Sequence, residues 1–251
     1  MNKKNRISYT FFKFLWRSFK AKNRDHKTEI KELGKVLKHG DIAIDIGANK
    51  GSFTHSLSRF VGKTGTVFAF EPQKVLFNYL KDMCRSNVVV KSTPLSNKRK
   101  SAEFFIPANG DSPGATLVKG DHIPNGWIPV KVSTDSLDSI LKDIKKPIKA
   151  IKIDVEGHEL EVLKGANCIL EKNKPLIVVE CEQRHLIGRK IEEVFEWIIS
   201  MGYTGKFVCN NKLIPLDEFN LIKHQNSEGD RYWDKKDYCN NFIFYGIDLN
   251  N

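Results

Sequence analysis

The sequence predicts an α/β fold with a parallel sheet whose strand ends bind a nucleotide. Three stretches carry this expectation. In residues 41–54, DIAIDIGANKGSFT, a short β-branched apolar run leads into a glycine-rich turn and a helix start. Short apolar runs of this kind form strands buried on both faces. In residues 66–72, TVFAFEP, a second run closes on Glu71-Pro72. In residues 150–159, AIKIDVEGHE, a third closes on carboxylates and an imidazole. Open α/β sheets bind ligands outside the carboxyl ends of their strands.

The first stretch sets the ligand chemistry. Gly47 allows the sharp turn, and Gly51 lets a ligand or strand approach closely. The helix that follows points unpaired N–H groups at the site. The pattern is not G-x-G-x-x-G, because Asn49 stands where the second glycine belongs. A ligand without a pyrophosphate needs less clearance there. Asp45, at the strand end, can pair with an ammonium group. These features suit S-adenosylmethionine, which carries an amino-acid moiety and no phosphate. Another nucleotide, or a purely structural turn, is the competing reading. Glu71 lies 24 residues beyond Gly47, near the roughly 20-residue spacing of a ribose-binding carboxylate. The bland reading of Glu71 is a solvated strand-end charge.

A chain of 251 residues, 40% hydrophobic and 28% charged, accommodates one large α/β domain. The net charge of +11 is uneven. Residues 1–24 hold eight of the 41 basic residues and no acidic one, leaving 33 basic against 30 acidic elsewhere. The basicity belongs mostly to an arm, so nucleic-acid binding is not expected. The five cysteines are widely spaced and none forms C-x-x-C, which fits reduced thiols in a cytosolic protein. No run of about 18 apolar residues suggests a membrane span, and a secretory leader is not expected because Lys13 and Arg17 interrupt the apolar N-terminal stretch.

Taken in order, residues 1–27 form a basic, aromatic arm and 28–251 the main domain. On a helix over residues 7–20, Phe11, Phe12, Leu15, Trp16 and Phe19 share a face, with Phe14 off it. Such a helix suits an anionic membrane surface; the alternative packs the aromatic face on the domain or a partner subunit. Ile30, Leu33 and Leu37 mark a helix leading into the first strand, and residues 74–85 another. Val88–Val90 is strand three. Thr93–Ser96 lies where an adenine would sit, and 102–106 reads as an added strand. The Gly/Pro/Asn-rich segment 107–129 is long for a loop in a compact domain. It is expected to close over an acceptor site through His122 and Trp127, or to be a variable surface loop.

The third stretch concentrates Asp154, Glu156 and His158 at a strand end, with Gly157 making the turn. Glu159 has a simpler role at the helix start, where it stabilises the dipole. Residues 175–179 form a further strand ending in Glu180. A helix follows over 191–200, then strands at 206–208 and 241–245. Asp154 and Glu180 supply too few ligands for a metal site to be expected.

Taken together, these residues resemble the FkbM family of S-adenosylmethionine-dependent methyltransferases. The matching segments are Asp45 to Gly51 with Thr54, Ala69 to Pro72, Lys152 to Glu159, Val162 to Ala166, and Pro175 to Glu180. Pro94 departs from the small residue expected there. The resemblance implies a Rossmann-like class I methyltransferase fold, a seven-stranded, mostly parallel sheet with a reversed last strand. It implies O-methylation, often of sugar hydroxyls in glycans or natural products. The cysteine pattern suits a cytoplasmic enzyme, and the basic arm would suit a lipid-linked glycan precursor at the cytoplasmic face of the membrane. Asp45, Gly47, Asn49, Gly51, Thr54 and Glu71 are then the cofactor-binding candidates. His158 is the first candidate base, with Asp154, Glu156 or Glu180 acting directly or orienting it. A non-sugar acceptor (protein, lipid or small metabolite), or a membrane-associated binding module without turnover, is the alternative.

Overall fold

A computed structural model describes residues 3–247, apart from 113, 121, 122, 233, 234 and 236. The chain runs α1 (Lys3–Lys20), one π-helical turn (Ala21–Asp25), α2 (Lys27–Val36), β1 (Ile42–Ile46), α3 (Ser52–Phe60), β2 (Thr66–Phe70), α4 (Lys74–Met83) and β3 (Val88–Lys91). There follow β4 (Lys100–Pro107), β5 (Trp127–Thr134), α5 (Leu137–Ile140), β6 (Ile148–Ile153), α6 (Glu159–Lys164), α7 (Asn167–Asn173) and β7 (Leu176–Glu180). The last elements used here are α8 (Ile191–Ser200), β8 (Tyr203–Cys209), β9 (Lys212–Pro215) and β10 (Asn241–Gly246).

The main sheet has the order β3-β2-β1-β6-β7-β10-β8-β9. Strands β3, β2, β1, β6 and β7 pair in parallel, and β10 runs antiparallel to both β7 and β8. The reversed last strand is therefore present, but the sheet has eight strands rather than seven. The additional strand, β9, is a hairpin partner of β8 at the edge. Strand order reverses between β1 and β6, the switch point at which such sheets bind ligands.

Both faces of the sheet are covered, which is why β1 is buried along its whole length. Side chains alternate across it. Ile42, Ile44 and Ile46 pack with Leu163, Leu170, Val194 and Ile198 on one side, whereas Ala43 packs with Ile30, Leu33 and Leu57 on the other. The added strand expected at 102–106 is β4. It pairs with β5 in a separate two-stranded sheet instead of joining the main one. Strand β5 starts at Trp127, so the loop is shorter than 107–129 suggested.

Helix α1 corrects the expectation for its aromatic face. Phe14, placed off that face in sequence, is the ring that docks: it is 1% exposed, edge-on to His55 and Tyr79. Phe14, Ser18 and Ala21 are buried at helical spacing. Phe11, Phe12, Leu15, Trp16 and Phe19 remain exposed, with Trp16 stacked on Phe19.

Truncating Phe14 should release the arm. Core Phe→Ala changes cost about 3–5 kcal/mol, and each ~1.4 kcal/mol is tenfold in an equilibrium. Limited tryptic cleavage at Arg17 to Arg24 should therefore accelerate at least about tenfold in Phe14→Ala. An unchanged cleavage rate would show that the ring does not hold the helix.

Candidate active site

The site forms where β1, β2 and β6 end together. The Asp154 N–H donates to Ile46 O at 3.0 Å, and the Gly47 and Ala48 N–H groups both donate to Phe70 O at 3.0 Å. Gly47 has φ +76°, and a Cβ there would lie 1.7 Å from the Asp154 carbonyl oxygen. Only glycine fits that crossing. Asn49 is also left-handed, at φ 47°, a conformation asparagine tolerates. Its N–H donates to Glu71 Oε2 at 2.8 Å, while the Gln73 N–H donates to Oε1 at 2.9 Å. Glu71 therefore braces the turn as well as lining the cleft.

Gly51 is also needed, for a close approach within the chain. A Cβ there would meet Phe14 at 2.8 Å and Leu80 at 2.9 Å, so the glycine makes the seat for α1. Asp45 is 2% exposed and accepts a hydrogen bond from the Thr54 hydroxyl. Burial raises its pKa to about 6 against the opposing pull of that hydroxyl.

Two cavities flank the turn and share Gly47, Asn49 and Asp154 in their walls. The first is lined by Phe70, Glu71, Leu95, Phe104 and Leu117, with Thr93 and Pro94 beside them and His158 also in its wall. It offers apolar walls and two carboxylates, Glu71 and Asp154. The second is lined by Arg17, His26, Asp45, Lys50 and Lys152. Charges of both signs face it. An elongated ligand with a nucleoside at one end and a zwitterion at the other matches this pair in chemistry.

Burial, then the charge of Glu180, raises the Asp154 pKa to about 7. Burial also raises Glu71 to about 7, opposed by the Gln73 and Asn49 N–H groups. His158 moves the other way: burial lowers it to about 4, and its Nε2 lies 3.0 Å from the Ser96 hydroxyl. Glu156, at φ 54°, pairs with His185 Nδ1 at 2.8 Å and lines neither cavity. Glu180 lies 3.7 Å from Lys152 Nζ and accepts from Asn240 at 2.9 Å. Glu159 accepts from the Gly157 N–H at 2.9 Å, at the start of its helix. Of the four acid–base candidates, Asp154 and His158 meet the cleft.

The 107–126 segment folds over the first cavity and is pinned at three places. Gln73 and Ser112 exchange hydrogen bonds at 2.9 and 3.1 Å, Thr116 donates to Glu156 O at 2.7 Å, and Asp111 pairs with Lys50 at 2.6 Å. Ala115 and Leu117 line the cavity. Trp127 opens β5 and is not in its wall; His122 lies outside the described residues. Sequence reading missed Gln73 and Thr116, whose roles depend on partners far along the chain, and did not foresee the contact of Ser96 with His158. It also missed Lys152, 1% exposed with its ammonium 5.1 Å from the Phe53 ring centre. Only its place in an apolar strand pointed to burial.

Five parallel strands followed by the reversed β10, with a glycine turn and a paired acidic strand end at the switch point, match a Rossmann-like methyltransferase fold. The model of the methyltransferase FkbM domain matches residues 45–204, and the chain belongs to this family of S-adenosylmethionine-dependent methyltransferases. The hexuronic acid methyltransferase AglP of Haloferax volcanii is 29% identical over 160 residues; the match covers 62% of this chain and 62% of that protein. The crystal structure of methyltransferase FkbM from Methylobacillus flagellatus KT superposes with a TM-score of 0.52 at 15% identity. That match covers 96% of this chain and 59% of the other.

Two measurements follow from this geometry. Gly47→Ala combines a positive φ with overlap on the Asp154 carbonyl, and should destabilise the protein by about 2–4 kcal/mol in denaturant unfolding. A loss below that range would mean the crossing is easily opened. Asp154→Asn tests the buried acid. Because the folded-state pKa is raised, the stability linked to Asp154 is present below its unfolded pKa, about 4, and is lost as pH rises towards 7. The stability of Asp154→Asn relative to the natural protein should therefore rise across that window. A pH-independent difference would refute the raised pKa.

Proposed function

We propose that the protein transfers the methyl group of S-adenosylmethionine to a sugar hydroxyl of a glycan or glycan precursor. The two-chambered cleft joined at Gly47, Asn49 and Asp154 carries this reading. Membership of the FkbM family supports methyl transfer, and the name of the archaeal relative, a hexuronic acid methyltransferase, supports a sugar acceptor.

Bound S-adenosylmethionine supplies an electrophilic methyl on a sulfonium centre. Glu71 suits the ribose hydroxyls, and Phe70, Pro94 and Leu95 offer apolar surface to the adenine. Asp45 acts behind the turn, by holding Thr54. The chain's main task is to orient the acceptor, an effect that can supply about 7–11 kcal/mol. Asp154 stands at the junction of the cavities with a pKa near neutrality, where a base is most effective. It takes the hydroxyl proton as the new C–O bond forms. His158 is neutral and weakly basic, and serves as a polar wall against the acceptor rather than as the base.

The division of labour follows the same reading, with residues 1–27 as an arm and 28–251 as the methyltransferase domain. No helix among the described residues is long and apolar enough to cross a membrane. The exposed face of α1 includes Phe12 at 66%, Trp16 at 56% and Phe19 at 58%, and Lys20 lies in its last turn. Such a helix fits the surface of an anionic bilayer. A cytoplasmic enzyme working at the membrane face on a lipid-linked glycan matches both features.

The test is incubation with S-adenosylmethionine and hexuronic-acid-bearing glycans, following formation of the demethylated cofactor and methylated sugar. Asp154→Asn should lower turnover about 10²–10⁴-fold, with cofactor binding retained, and His158→Ala should lower it far less. The reverse ranking would make His158 the base. Transfer to protein or small-molecule acceptors alone would replace the sugar reading. Vesicle binding without any transfer would leave a binding module. Equal partition to neutral and anionic vesicles would count against the membrane contact.

A further inference from the structure

The second cavity contains a cation that no part of the family-matched region supplies. The match begins at residue 45, yet Arg17 of α1 lines this cavity beside Asn49 and Lys50. Its position follows from the helix. Phe14, Ser18 and Ala21 form the buried stripe, and residue 17 stands on the flank of that stripe, three positions after Phe14. The seat that Gly51 provides for Phe14 therefore sets where Arg17 lies relative to the glycine turn.

The two lysines in the wall are committed elsewhere. Lys50 pairs with Asp111 at 2.6 Å. Lys152 lies 3.7 Å from Glu180 and donates to Ile153 O at 3.2 Å. His26 is tilted against Phe53 at 4.8 Å between ring centres, and its Nδ1, 3.8 Å from Glu29, makes no hydrogen bond among the described residues; its imidazole lacks the two-pronged donor geometry of a guanidinium. Arg17 uses Nη1 to donate to the Tyr79 hydroxyl at 3.3 Å. A guanidinium has five N–H donors in a fixed fork, matched to the two oxygens of a carboxylate. Tyr79 thus orients the group while most of its donors stay available.

We infer that Arg17 binds the α-carboxylate of the methyl donor, so that the N-terminal arm forms part of the cofactor site. This rests on S-adenosylmethionine being the ligand of the cleft. Arg17 recognises only the amino-acid end, whereas Glu71 faces the nucleoside end.

Calorimetric titration separates the two ends. S-adenosylhomocysteine carries both; 5′-methylthioadenosine carries the nucleoside and thioether but no amino acid. In Arg17→Gln, affinity for S-adenosylhomocysteine should fall about 10–100-fold, with 5′-methylthioadenosine binding as to the natural protein. Arg17→Lys should lie between, since it keeps the charge and loses the fork. Glu71→Ala should weaken both ligands. Melting curves and far-ultraviolet dichroism matching the natural protein exclude a folding defect in Arg17→Gln. Unchanged S-adenosylhomocysteine affinity, or equal loss for both ligands, would overturn the role of Arg17 while leaving the cofactor reading intact. Failure of the natural protein to bind either ligand would overturn the cofactor reading, and with it this inference.

Discussion

The approach of Gly47 to the end of β6 is the constraint on which the rest of the site depends. Backbone meets backbone there with no room for a Cβ, and the Phe70 carbonyl is shared by two successive N–H groups of the turn. Three strand ends are thereby held together. Glu71 reaches Asn49, and Asp154 reaches both cavities, because this crossing is tight. The functional groups are positioned by main chain, which is stiffer than any arrangement of side chains.

Several carboxylates crowd these strand ends, and burial raises Asp45, Glu71, Asp154, Glu159 and Glu180 together. Much of the compensation is internal. Thr54 donates to Asp45, backbone N–H groups donate to Glu71 and Glu159, and Lys152 pairs with Glu180. Asp154 has less help, with a like charge at Glu180 among its neighbours. Burial raises Glu71 and Glu159 to about 7 as well, so it is the place of Asp154 in the walls of both cavities that sets it apart.

What was legible in the sequence was local. The strands closing on Asp45, Glu71, Asp154 and Glu180 follow from short apolar runs with a charged stop, and Gly47 from a turn that needs it. Less legible was whatever depends on distant partners. A helical wheel placed Phe14 off the aromatic face correctly, but it could not show that Gly51, far along the chain, leaves a hollow for that ring. Burial lowers the pKa of His158 to about 4, a shift that no local pattern in the sequence reveals. Strand β9 is short and partly exposed, with little apolar pattern to reveal it. Among the described residues, the 107–126 segment is held by isolated contacts of Gln73, Asp111 and Thr116, with no periodicity around them.

The docked arm has a thermodynamic consequence. Helix α1 presses one ring into the glycine turn and leaves its other aromatic residues outside. A ligand that touches both the turn and the helix holds them together, and by reciprocity anything that holds the helix in place strengthens that ligand by the same factor. Occupancy of the cleft is then written into the protection of the first helix, far from the methylated product. With the proposed Arg17 contact to the methyl donor, cofactor loading would be readable from how fast the N-terminal residues exchange or are cut.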